Sequence, residues 1–69
     1  MYFETENRWY SIEIAQDLFD LIVVRRWGGR HNRIHGELRQ AVLSQHEATS
    51  LAEKYCMQRM RRGYALTTT

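Results

Sequence analysis

The run Leu21-Ile22-Val23-Val24-Arg25-Arg26-Trp27-Gly28-Gly29-Arg30 decides how this chain folds. An apolar stretch leads straight into two arginines, a tryptophan, two glycines and a third arginine. The apolar part reads as a β-strand with at least one buried face. By alternation, Leu21, Val23, Arg25 and Trp27 share one face, and Ile22, Val24 and Arg26 share the other. Gly28 and Gly29 release the backbone from extended geometry, so the strand can end in a sharp turn. Trp27 then stands at a strand end among arginines, a π face beside guanidinium groups that suits a sugar-phosphate backbone or a chain end. The same residues also read as a tryptophan that caps the core edge, with solvated arginines around it.

Outward from this strand on the N-terminal side, Trp9-Tyr10-Ser11-Ile12-Glu13-Ile14 alternates cleanly and predicts a half-buried strand with Tyr10, Ile12 and Ile14 inward. Residues 1–7 predict a loose arm or a short edge strand. Between the two strands, Leu18 and Phe19 are expected to tuck under the connection as a lid on the core. The strand from Leu21 to Trp27 is expected to be central, because both its faces begin apolar. Past it, residues 28–33 predict a loop, and Ile34 to Leu43 a weaker third strand in which Gly36 marks a bulge or bend. Ser44-Gln45-His46-Glu47 fits a capping box. Ala48, Leu51, Ala52, Tyr55, Cys56 and Met60 then recur at helical spacing, and Met57 falls off that stripe. Arg59, Arg61 and Arg62 suit the negative helix end, and Gly63 suits the position just beyond it, with Tyr64 folding back over the core. Residues 65–69 are expected to be a disordered polar tail. The fold class is α+β: a small antiparallel sheet of three to four strands with one C-terminal helix packed on a face, all in a single domain spanning residues 1–69.

With 69 residues the chain holds one small core. A chain this short buries roughly 60% of its extended surface, so stability is expected to be modest. Net charge is +2, but the charges are segregated. Glu4, Glu6, Glu13, Asp17 and Asp20 face a single Arg8 in the first twenty residues, whereas Arg25, Arg26, Arg30, Arg33 and Arg39 face a single Glu37 in the next twenty. Nearly every basic residue is arginine, whose planar fork pairs with phosphate and stacks on flat groups. The lone Cys56 cannot form an internal disulfide, which fits a reducing cytoplasm. The start lacks the pattern of a signal peptide, and no stretch has the apolar length of a membrane span. His31, His35, His46 and Cys56 lack the paired spacing of a metal site, so neither a metal nor a cofactor is expected. No carboxylate pair and no glycine-rich phosphate loop points to catalysis.

Arg8-Trp9-Tyr10-Ser11-Ile12-Glu13-Ile14, Asp17-Leu18-Phe19, Val24-Arg25-Arg26-Trp27-Gly28 and Arg61-Arg62-Gly63-Tyr64, in this order and at this spacing, resemble the WGR domain. The resemblance covers about residues 7–64 and includes the short stand-alone bacterial versions of the domain. It implies an antiparallel sheet with a helix packed on it. In DNA-dependent poly(ADP-ribose) polymerases this module binds DNA near a break, its motif Trp and Arg contacting the end of the strand that carries a 5′ phosphate. The present sequence departs from the motif: Gly29 stands where the motif Arg is expected, and Arg30 follows one position later. The usual following Gly is also missing, and His31-Asn32-Arg33 fill that loop. Either the loop carries an insertion and Arg30 takes the motif role, or the DNA-contacting arginine is lost.

The reading that follows is a non-catalytic DNA-binding module, with Trp27 stacking on a sugar or end base and Arg30 holding phosphate with help from Arg26, Arg33 and Arg39. The rival is a protein-interaction module that keeps the fold without the DNA contact; its charge segregation would also favour a homodimer.

Overall fold

A computed structural model of the chain describes residues 1–16, 18–29 and 34–68. The elements run β1 (Tyr2–Glu4), β2 (Trp9–Gln16), β3 (Leu21–Gly28), β4 (Ile34–Val42), α1 (Gln45–Arg61) and β5 (Ala65–Thr68). The strands form one antiparallel sheet in the order β4-β3-β2-β1-β5. The α+β class and the single C-terminal helix match the sequence expectation, but the sheet has five strands rather than three to four. The extra strand is β5, where a disordered tail was expected. Leu66 and Ala65 pair with Phe3 and Glu4, and the Thr67 hydroxyl donates to the Tyr2 carbonyl at 3.0 Å. Those bonds use backbone and hydroxyl groups, so no hydrophobic alternation announces them. β3 is interior, between β2 and β4, while β2 holds the middle of the sheet.

One face of the sheet is covered by α1, which lies mainly over β2 and β3. Phe3, Tyr10, Ile12, Val23 and Val42 come from the sheet into this core, and Ala48 and Ala52 come from the helix. The two alanines let the helix sit close, and the flanking Leu51 and Tyr55 pack against the core's rim. Ser44 caps the helix by accepting from the Glu47 N–H at 3.1 Å, and the Glu47 carboxylate reaches back to the Leu43 N–H at 3.1 Å. At the other end Gly63 sits at φ 90°, a left-handed position open to a residue without Cβ. The N–H groups of Gly63 and Tyr64 donate to the carbonyls of Met60 and Arg59, closing a Schellman motif. That turn sends the chain back toward the sheet, where Tyr64 meets Tyr10 edge-on and β5 joins β1.

Three expectations about the core are corrected. Ile14, expected inward with Tyr10 and Ile12, is 39% exposed toward the hairpin end of β2. Leu18 and Phe19 do not roof the core: they are 87% and 92% exposed. The β2–β3 connection lies beyond Gln16 and Leu21, the last cross-strand pair of that hairpin, at the end of the sheet. Met60 is 54% exposed, and Arg59 takes the inward position at the end of the helix. The Arg59 guanidinium lies 3.8 Å from the Tyr10 ring centroid, so a cation occupies a place where an apolar residue would be sought.

The backbone of β4 makes room for Trp27. A Cβ on Gly36 would overlap Cζ2, Cε2 and Nε1 of the Trp27 indole, and the pairing of β3 with β4 shifts register just beyond this point. Gly36 thus marks the bulge its sequence position announced. Gly36→Ala is expected to destabilise the fold by about 1–3 kcal/mol through overpacking, read as a lower urea midpoint at unchanged slope. An unchanged midpoint would show that the indole can move aside freely.

Candidate functional site

Trp27 is directly opposite Tyr10 on β2 and Gly36 on β4. Its ring stacks on Tyr10 with centroids 6.2 Å apart and planes inclined by 13°. Phe3 and Tyr64 meet the same Tyr10 ring edge-on at 6.3 Å each. The indole is therefore held on three sides, by Tyr10, by the Gly36 backbone and by its own strand, and its remaining edge opens into a cleft of about 280 Å³. The cleft is lined by Trp27, Gly28 and Gly29 from the end of β3, Asn7 and Arg8 from the β1–β2 turn, His35 from β4, Arg59 from α1 and Tyr64 beyond it.

Each basic side chain in the cleft is positioned by a separate device. Arg8 ends a tight turn: its N–H donates to the Thr5 hydroxyl at 3.0 Å, and its carbonyl accepts from the Thr5 N–H at 2.8 Å. Arg59 is pinned over Tyr10 and lies 5.7 Å from the Tyr64 ring centroid. A ring-stacked guanidinium keeps its in-plane N–H donors free for an acceptor. Among the described lining residues there is no carboxylate, so the cleft carries positive charge beside an aromatic edge. A Cβ at position 29 would come within 2.9 Å of the tip of the exposed His35 ring, so a side chain there would push that ring aside.

The sequence-derived site residues separate. Trp27 lines the cleft. Arg30 and Arg33 lie outside the described residues. Arg26 and Arg39 belong to the opposite, open face of the sheet, as the alternation along β3 and β4 requires. Arg26 donates to Glu37 at 2.6 Å and lies 3.6 Å from Glu13; Arg39 lies 3.7 Å from Glu37. There two arginines and two glutamates compensate one another. Arg26 and Glu13 also line a second groove on this face, of about 330 Å³, walled by a Tyr2–Trp9 stack at 5.9 Å and 14°. Arg25, on the helix face, lies 3.8 Å over the Tyr55 ring, whose hydroxyl donates to Gln40.

Arg8, His35 and Arg59 were missed as partners of Trp27 by reading the sequence. The signal for Arg8 was available in the register: if Tyr10 pairs with Trp27, Arg8 falls beside Gly29. Arg59 sits within the apolar stripe of the helix, next to Cys56 and Met60, where a charged residue needs an explanation. Among the described residues no group of His, Cys, Asp and Glu could hold a metal ion, and no helix is long and apolar enough to cross a membrane.

The hydrogen bond from Arg26, and secondarily the nearby Arg39 charge, hold the Glu37 carboxyl below the usual glutamate range. A lowered folded-state pKa means that this contribution to stability is complete above the unfolded-state value of about 4.3 and is lost as pH falls through the lower folded value. Glu37→Gln is therefore expected to flatten the acid limb of the stability profile below about pH 5 while changing the cleft little. Denaturant titrations across that range check it; an acid limb as steep as the parent's would remove Glu37 as its source.

A family model described as the WGR domain matches residues 3–69. No curated protein and no solved structure matches the chain.

Proposed function

The chain belongs to the WGR domain family, and from that premise we propose that it is a non-catalytic module that binds DNA at the Trp27 cleft. WGR domains are generally nucleic-acid-binding modules of poly(ADP-ribose) polymerase-like proteins. The observation that carries the reading is the joining of Trp27, Arg8 and Arg59 in one cleft with no carboxylate among its described lining. In the proposed mode the exposed indole edge packs on a sugar or an end base, while Arg8 and Arg59 pair with backbone phosphates. Gly28 and Gly29 line the same cleft at the end of β3. Arg30 follows Gly29 directly in the chain and is our candidate for the motif arginine, with Arg33 close behind it. Arg26 and Arg39 are assigned no phosphate contact, since both are in ion pairs on the other face. No helix presents base-reading side chains, so recognition follows the shape of the DNA, with a 5′-phosphorylated end as the preferred form. Cys56 as a lone thiol suits a reducing cytoplasm as the place where this happens.

A second reading, a protein-interaction module, draws on Phe19 and Leu43, which are 92% and 97% exposed at the sheet end away from Trp27.

Fluorescence anisotropy with a short labelled duplex, with and without a 5′ phosphate, distinguishes the two. With about three phosphates engaged, log affinity is expected to fall against log salt with a slope of roughly −2 to −3. Arg8→Ala and Arg30→Ala are each expected to weaken binding about tenfold, on the scale of one charged hydrogen bond. The melting temperature of Arg8→Ala should hold, because that side chain is exposed. A flat salt response, or undiminished binding by both variants, would leave the protein-interaction reading.

A further inference from the structure

We propose that the β4 edge is a self-association surface, through which two copies of this chain join their sheets into one. β4 ends the sheet and is its longest strand, with nine residues. It has no proline, and α1, lying mainly over β2 and β3, leaves Leu38 on the helix face 49% exposed. Such an edge offers a row of backbone donors and acceptors to another strand.

The sequence of β4 says which strand. In a two-fold antiparallel pairing about an axis perpendicular to the sheet, directly opposite residues lie on the same face. Centring that axis on Leu38 overlaps the regular part of the strand, residues 36–40. Glu37 then lies opposite Arg39 of the second copy, and Arg39 opposite its Glu37, so both charges gain an opposite partner twice over. Leu38 meets Leu38. Gly36 and Gln40 form the outer pair of a regular five-residue ladder, with the bulge beside His35 falling outside it. Moving the axis one residue pair toward the N-terminus places Glu37 against Glu37; moving it the other way places Arg39 against Arg39. Like charges directly opposite one another disfavour both. Arg39 is available for the new pair: its side chain is 61% exposed and holds Glu37 of its own chain only at 3.7 Å. The two-fold keeps both helices and both Trp27 clefts on the same face of the joined sheet. This association does not depend on what the cleft binds.

Sedimentation equilibrium over a rising protein concentration tests it. The expected result is a monomer–dimer equilibrium that Arg39→Glu and Glu37→Arg each weaken about tenfold or more. An equimolar mixture of the two variants should recover association, because each then carries the other's complement. Glu37→Arg also removes a partner of Arg26, so the register is tested separately. In a Cys56→Ser background, Leu38→Cys is expected to form a disulfide-linked dimer under mild oxidation, since opposite Cα atoms in an antiparallel pair are about 4.5–5.5 Å apart. Gln40→Cys should not. A monomer at every concentration, unweakened association of Arg39→Glu, or equal crosslinking at both positions would overturn the proposal.

Discussion

The Tyr10 ring is the point on which the rest of this structure depends. It is fully buried, and four elements converge on it: Phe3 from β1, Trp27 from β3, Arg59 from α1 and Tyr64 from the segment leading to β5. Aromatic pairs of this kind contribute about 0.5–1.5 kcal/mol each beyond area burial. A guanidinium over a ring adds about 0.5–2 kcal/mol. In a chain with so small a core, those contacts set the position of the helix end relative to the sheet. They also give the site its geometry, because the groups that stack on Tyr10 are the ones that line the cleft.

The two faces of the sheet solve the problem of excess arginine differently. On the open face Arg26 and Arg39 are neutralised by Glu13 and Glu37. On the helix face Arg25 and Arg59 lie over tyrosine rings, which offer attraction without charge compensation. The first arrangement compensates charge with charge; the second holds the cation without neutralising it. Arg59 is the one of these beside Trp27, and Arg8 joins it from a short turn in which the Thr5 hydroxyl takes the place of a backbone partner. Positive charge and an open aromatic edge thus coincide at one end of the sheet, while the exposed Phe19 and Leu43 stand at the other.

Much of the fold was legible from local chemistry. The strands β2 and β3, the Ser44–Glu47 cap and the Gly63 stop each express a rule that acts within a few residues, and each is realised in the structure, although burial along β2 ends at Ile12 instead of alternating through Ile14. What was not legible depends on partners distant in sequence. β5 forms because Phe3 and Glu4 offer backbone groups to Ala65 and Leu66, which no pattern in residues 65–69 announces. Leu18 and Phe19 look like core residues by composition, yet the hairpin carries them past the end of the sheet. The site follows the same division. Trp27 was legible as a strand-end aromatic, and Gly36 as a break in β4. Arg8 and Arg59 were not, since sequence proximity drew attention to Arg26, whose side chain the pleat sends to the other face.

Because Trp9 and Trp27 lie on opposite faces, each near a different groove, their two indole N–H groups are separate reporters of where a ligand binds. The most direct test of the account is a nuclear magnetic resonance titration of isotope-labelled protein with a short 5′-phosphorylated duplex. The Trp27 indole and the amides of Arg8, Gly28 and Gly29 are expected to shift together, while the Trp9 indole and the amides of Glu13 and Glu37 stay in place. Shifts centred on Trp9, Glu13 and Arg26, with Trp27 unmoved, would contradict it.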